Sequence, residues 1–248
     1  MNRTFQLFLL ACPLSLSTAC SSAAGDSTSV DDPATSAAAQ DIQGKGVTVF
    51  PPQSRPAGHS YSEWAAAWWI WAMTAPPATN PVNDTTGQFC DYGQKGPVWF
   101  LAGSFSDQPV HRTCAIPSDK FVLFPILNIA YGAFATDPPE QQTPAYVRSQ
   151  VTCVEQASIL EASVDGQSIP HLDRYLEKSV LFKVNLPPDN IFGVGAVTLW
   201  PTADEGYYVM LPPLSPGKHS IHIRSNSDLC GGGVLDVTYA LTVGHDRK

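Results

Sequence analysis

Asn80, Asn83, Asp84 and Asp91 lie close together in the loop between an expected helix and the first expected strand, whose stretch Asn80-Pro81-Val82-Asn83-Asp84-Thr85-Thr86-Gly87 is dense in turn formers. Amide and carboxylate oxygens gathered on one loop form the donor set a calcium ion takes, or a polar ligand. Turn chemistry accounts for the same residues without any ligand. Trp69 stands just upstream, off the main aromatic stripe of a helix, and is the indole placed to line a groove beside this loop. Glu63 reads two ways, as a general acid or base and as a helix-capping residue. Asp204-Glu205 beside Gly206 reads as an exposed turn; to cleave a glycosidic bond, two carboxylates must converge in space.

Other catalytic signatures are missing. Gly103-Ser104-Phe105-Ser106 does not complete the G-x-S-x-G elbow, and no H-E-x-x-H, Walker or dinucleotide fingerprint occurs. The histidines are His59, His111, His171, His219, His222 and His245. His219 and His222 are three apart on an expected strand, which sends them to opposite faces and argues against a shared metal. Cys90, Cys114, Cys153 and Cys230 are an even set, which reads as two disulfides with three possible connectivities. Cys90–Cys114 with Cys153–Cys230 is favoured, because the first pair brackets a compact unit and the second clips a helix to the C-terminal strands. No two of these cysteines have zinc-ligand spacing, so no structural metal is expected.

The elements that must position these groups follow from local patterns. Ser60-Tyr61-Ser62-Glu63 is a capping box, and the alanine-rich run after it ends before Pro76-Pro77, giving a helix over 61–74. Tyr61, Trp64, Trp68 and Trp71 share one stripe of it, while Ala66, Ala67, Ile70 and Met73 make the other side apolar too. A helix apolar all round must be buried. Four indoles from Trp64 to Trp71 invite sugar stacking, but their burial is worth roughly 15–25 kcal/mol gross, which favours the core. Thr143-Pro144 opens a second helix expected over 144–156.

Short strands are expected at Gly96–Gly103, Val110–Ile116 and Phe121–Ile129, and an Asp165-Gly166 hairpin spans Ala162–Ile169. The last seventy residues alternate apolar and polar in four further runs. Alternation with one wet face is how a sandwich sheet reads. The expected fold is mainly β: an antiparallel β-sandwich with two packed helices, forming a single domain over 46–245.

The N-terminus sets the compartment. Arg3, the apolar run from Phe5 to Leu16 and the small residues Ser17-Thr18-Ala19 before Cys20 have the layout of a secretory signal. A cysteine directly after the small residues resembles the lipobox of bacterial lipoproteins, which implies acylation of Cys20 over a signal of residues 1–20. The lipobox prefers Leu where Ser17 stands, and an ordinary signal cut after Ala19 or Ala24 is the alternative. The apolar run is too short for a span, which needs about 20 residues. Residues 21–45 are Ser, Ala, Thr, Asp and Gly with few large apolar groups, and read as a flexible tether.

The net charge of −8 becomes −9 once Arg3 leaves with the signal, and no basic block appears, so nucleic acid is not an expected partner. Three segments, GHSYSEWAAAWWIWAMTAP, GQKGPVWFLAGSF with RTCAIPSDKFVLFPILN, and GYYVMLPPLSPGKHSIHI, resemble a family of exported bacterial proteins of unassigned function. That resemblance implies one domain outside the cytoplasm and assigns no catalytic residue.

The expected protein is a lipid-anchored envelope lipoprotein that binds a glycan, an envelope polymer or a protein partner, or has a structural role. An extracytoplasmic polysaccharide hydrolase or lyase is the alternative. Replacing the acylated residue, Cys20→Ser, should move the protein from the membrane pellet to the soluble fraction on cell fractionation.

Overall fold

The computed structural model describes residues 47–106 and 108–244. The signal segment, Cys20, the tether and His245 lie outside the described residues. Helix α1 (Tyr61–Thr74) begins with the full capping box: Ser60 Oγ accepts from the Glu63 amide, and the Glu63 carboxylate accepts from the Ser60 amide at 2.7 Å. Glu63 is thereby spent on the cap, where it also pairs with Arg55 at 3.1 Å.

Ten strands follow in two five-stranded sheets. The first holds β1 (Val98–Phe100), β3 (Phe121–Phe134), β8 (Val197–Leu211) and β6 (Leu176–Lys178) in that order, with β7 (Phe182–Leu186) also paired to β8. The second runs β2 (Val110–Pro117), β10 (Leu235–Gly244), β9 (Gly217–Asn226), β4 (Ile159–Val164) and β5 (Gln167–Ser168). One hydrophobic cluster unites both sheets with α1.

The sheets are mixed, which corrects the antiparallel expectation. β1 runs parallel to β3, and β2 runs parallel to β10 over eight register pairs. Alternation reports which face is wet, whatever the direction of the neighbouring strand, so sequence pattern alone did not separate the two cases. The second helix is also shorter than expected. α2 covers Pro144–Ser149, capped by Thr143, and the chain re-forms as a 3-10 turn only at Thr152–Gln156. β-Branched Val151 and Thr152 sit at the break, where such residues disfavour helix.

The largest departure concerns β8. Its strand begins at Val197 rather than near Gly206, and every residue from Pro201 to Leu211 is buried. Asp204 and Glu205, expected in an exposed turn, are 0% and 1% exposed in the middle of it. Both faces of this stretch are covered: α1 lies over the side of Asp204, while α2 packs Val147 against Ala203 on the other.

The Asp165-Gly166 hairpin forms with both residues at positive φ, 52° and 75°, the combination a tight two-residue turn needs. The disulfides join Cys90 to Cys114 and Cys153 to Cys230, closing 24 and 77 residues of chain. By the chain-entropy argument each is worth about 3–5 kcal/mol. The first ties the Asn80–Gly96 region to β2; the second ties the 3-10 turn after α2 to the loop between β9 and β10.

At Gly206 the strands approach so closely that a Cβ would stand 2.4 Å from Asn128 Cβ and 2.7 Å from the Leu127 carbonyl. Gly206→Ala should therefore lower the unfolding free energy by about 1–3 kcal/mol or more, measured by denaturant titration. An unchanged midpoint would show that β3 and β8 can separate freely.

Candidate functional site

The loop singled out by its oxygen-bearing side chains is built inward rather than toward a ligand. Asn80 is buried; its amide donates to the carbonyls of Ala72 (2.8 Å) and Ala75 (3.2 Å), and its oxygen accepts from the Val82 amide. It closes the C-terminal end of α1. Asp84 Oδ1 accepts from the amide and hydroxyl of Thr86, and Oδ2 from the Phe89 amide at 2.9 Å. Burial opposes its charge, but the donors from Phe89 and Thr86 outweigh it and hold the carboxyl below its ordinary value.

Asn83 and Asp91 remain exposed, and Asn83 reaches only the Pro77 carbonyl at 3.4 Å. The four therefore do not converge. Among the described residues no three His, Cys, Asp or Glu side chains gather as a metal site.

What fixes the loop is a residue the sequence pattern hid. Arg112 on β2 is 2% exposed, and its guanidinium donates to the carbonyls of Asp84 (2.6 Å), Ala102 (2.8 Å) and Val82 (3.3 Å) and to Tyr239. A buried cation is tolerated because its donors are met. Its place in the alternation of β2 marks it as inward-facing, but a lone arginine there gave no sign of its partners.

Trp69 is equally committed. It is 7% exposed and lines no groove; its indole N–H donates to Asp204 Oδ2 at 2.7 Å. The Tyr208 hydroxyl donates to the same oxygen at 2.8 Å and accepts from Asn128 at 3.0 Å. Asp204 Oδ1 has no partner. Desolvation dominates, and pushes the Asp204 carboxyl up to about 8 despite the donors from Tyr208 and Trp69. At neutral pH it is a neutral acid with no route to solvent, which makes it a structural group rather than a catalytic one.

Glu205, one residue on, points to the opposite face. Lys178 Nζ stands 3.3 Å from it and 3.1 Å from Glu155, an ion-paired corner beside the 3-10 turn after α2. Burial again raises the Glu205 carboxyl.

Ser215, His219 and Asp165 resemble a nucleophile, base and orienting acid. His219 Nδ1 lies 2.7 Å from Asp165 Oδ2, and Nε2 lies 3.3 Å from Ser215 Oγ. Nε2 also lies 2.9 Å from the Ser215 carbonyl, which can only accept. Nε2 must therefore carry hydrogen, and with Nδ1 on a carboxylate the ring favours the imidazolium. Burial pulls its pKa down, but Asp165 and the Ser215 carbonyl raise it overall. This ring clamps the β4–β5 and β8–β9 turns together and holds no lone pair for a serine proton.

The outer face of the second sheet offers an accessible concave site. Alternation sends Glu161 and Ser163 of β4 and His222 and Arg224 of β9 outward, and the register sets Glu161 opposite Arg224 and Ser163 opposite His222. With Ser168 of β5 and the turn at Leu172, Glu161, Ser163 and His222 enclose a groove of about 330 Å³. His222 Nε2 is held by Asp236 at 3.0 Å, and Arg224 meets Glu161 at 3.3 Å. The floor is apolar at Ile169 and Leu172. An apolar crevice between Met73, Ala130, Phe192 and Leu199 holds only about 40 Å³, room for a water or two.

No known protein family, curated protein or solved structure matches the chain. The groove residues were legible only as the wet positions of alternating strands; the pairing of β4 with β9, more than fifty residues away in sequence, creates the site.

Asp204 gives a test of this electrostatic picture. Folded, it keeps its proton up to about pH 8, whereas its ordinary value is 3.8. Between those values the folded state binds more proton than the unfolded chain, so stability falls as pH rises. Asp204→Asn preserves an acceptor for Trp69 and Tyr208 and removes that slope. Its melting temperature relative to the parent should climb steadily from pH 5 to pH 8; a constant difference would mean Asp204 is already ionised in the fold.

Proposed function

We propose that this chain is an exported, membrane-anchored binding module, acylated at Cys20 and carried on the 21–45 segment, whose groove takes a segment of a hydroxyl-rich envelope or extracellular glycan. Two disulfides fit an oxidising compartment, and among the described residues no helix is long and apolar enough to cross a membrane. Attachment then falls to the acylated end. The resemblance to exported proteins of unassigned function agrees with that placement.

The observation that carries the reading is the groove. About 330 Å³ lies within the size range of small-ligand sites, and Glu161, His222, Ser163 and Ser168 supply both acceptors and donors along it. A sugar presents vicinal hydroxyls that need both kinds of partner, which suits a mostly polar lining. No hydrogen bond joins Ser163 to His222, so the arrangement favours holding a ligand over attacking it.

The second reading, a polysaccharide hydrolase or lyase, draws on the same place, because Glu161 and the His222–Asp236 pair set a carboxylate and an oriented imidazole in one groove. Glycan-array binding of the purified protein decides between them. Glu161→Ala and His222→Ala should each weaken retention about tenfold without shifting the melting temperature. Retention untouched by both removes the groove from the binding site. Release of new reducing ends, lost in Glu161→Gln, would favour the enzyme.

A further inference from the structure

Five of the six tryptophans are buried or partly buried, and Trp200 alone is largely exposed, at 49%. Those of α1 each donate their indole N–H to a protein acceptor, whereas Trp200 makes no such bond among the described residues. A single exposed apolar side chain needs no explanation by itself. Its surroundings make the difference.

β7 alternates buried and exposed, sending Lys183 and Asn185 outward, while Thr198 and Trp200 face outward on β8. Asn185 and Thr198 are register partners, and Lys183 Nζ lies over the Trp200 ring, 5.8 Å from its centre, in a cation–π contact. Behind them Phe182, Val184, Leu186 and Leu199 are buried and give the ribbon a fixed base.

The polar groups on this surface have spare capacity. Thr198 donates to Asn185 Oδ1 at 2.9 Å, which orients the amide and leaves its NH2 without a partner among the described residues. No carboxylate lies within ion-pair distance of Lys183 there. The surface thus combines an exposed indole, an ammonium that lies over its ring without a carboxylate partner among the described residues, and an oriented amide donor.

We propose that the Trp200–Lys183–Asn185 surface binds a uronic acid residue of an acidic polysaccharide. The apolar face of a pyranose ring packs on the exposed part of the indole that Lys183 leaves uncovered, its carboxylate pairs with Lys183 Nζ, and a ring hydroxyl accepts from Asn185 Nδ2. The chain's net charge of −8 opposes a polyanion at long range. At physiological salt that field is screened within about 8 Å, so the cation beside the ring sets the local preference. The choice of a sugar ligand rests on the glycan-binding reading; the site itself is separate from the groove.

Polygalacturonate and its fully methyl-esterified form differ only in the ring carboxylate and make a matched pair of probes, with alginate as a second polyuronate. Tryptophan emission and affinity electrophoresis of the exported protein report binding. Polygalacturonate or alginate should shift the emission to the blue and retard migration, and the methyl ester should bind more weakly.

Trp200→Ala should weaken polyuronate binding about tenfold and abolish the emission shift. Lys183→Gln should erase the preference for the free acid and its dependence on salt. Because both residues are exposed, circular dichroism should show both variants folded. The proposal is overturned if neither polyuronate binds, if the ester binds as well as the acid, or if Trp200→Ala binds like the parent. Loss of glycan binding in Glu161→Ala with none in Trp200→Ala would leave the groove standing and remove this site alone.

Discussion

Burying a cluster of indoles creates a debt of hydrogen-bond donors, and the layout of this protein follows from how that debt is met. Trp64, Trp68, Trp69 and Trp71 each bring an N–H into a region with little water, where an unmet donor costs about 1–3 kcal/mol. The four acceptors come from four separate segments: Pro56 before the helix, Leu101 after β1, Asp204 in β8 and Tyr92 in the disulfide-bound loop. Tyr61 adds a fifth tie, donating to the Phe50 carbonyl and accepting from the Met210 amide. Helix α1 therefore fixes the positions of segments more than a hundred residues apart.

Enclosing that helix has a consequence for where polar chemistry can occur. β8 is covered on both faces through its central stretch, so its acids end up sealed, one neutral beside Trp69 and one paired with Lys178. The wet surface available to a ligand is what remains: the outer face of the second sheet and the β7–β8 ribbon. Both candidate sites are built mainly on paired strands, one with a register shift at Lys183 and the other completed by the turn at Leu172.

How much of this could be read from the residues depends on the range of the interaction involved. The capping box at Ser60, the stop before Pro76 and the Asp165-Gly166 turn are encoded within a few positions, and they form as read. The mainly β character and the two disulfides followed from composition and cysteine count. Strand direction was not legible, because β1–β3 and β2–β10 pairing is settled by packing across the whole chain. The burial of Asp204 has a physical reason that local sequence does not carry: an Asp-Glu-Gly run normally belongs to water, and here donors from Tyr208 and from Trp69, 135 residues distant, make burial tolerable. Trp69 and Asn80 were noticed as chemically able groups, but each is consumed by the architecture. An indole beside a proline in an alternating strand looks the same buried or bare, so the exposure of Trp200 is not legible in the sequence.

The order of strands in the second sheet bears on how the molecule comes into being. β10, the final strand, lies between β2 and β9 and bonds to both. Until the last residues arrive, β2 has no neighbour in that sheet and β9 has an open edge. Assembly of this layer therefore waits for β10, and the strands made before it must stay apart, or be kept apart by a chaperone, until it arrives.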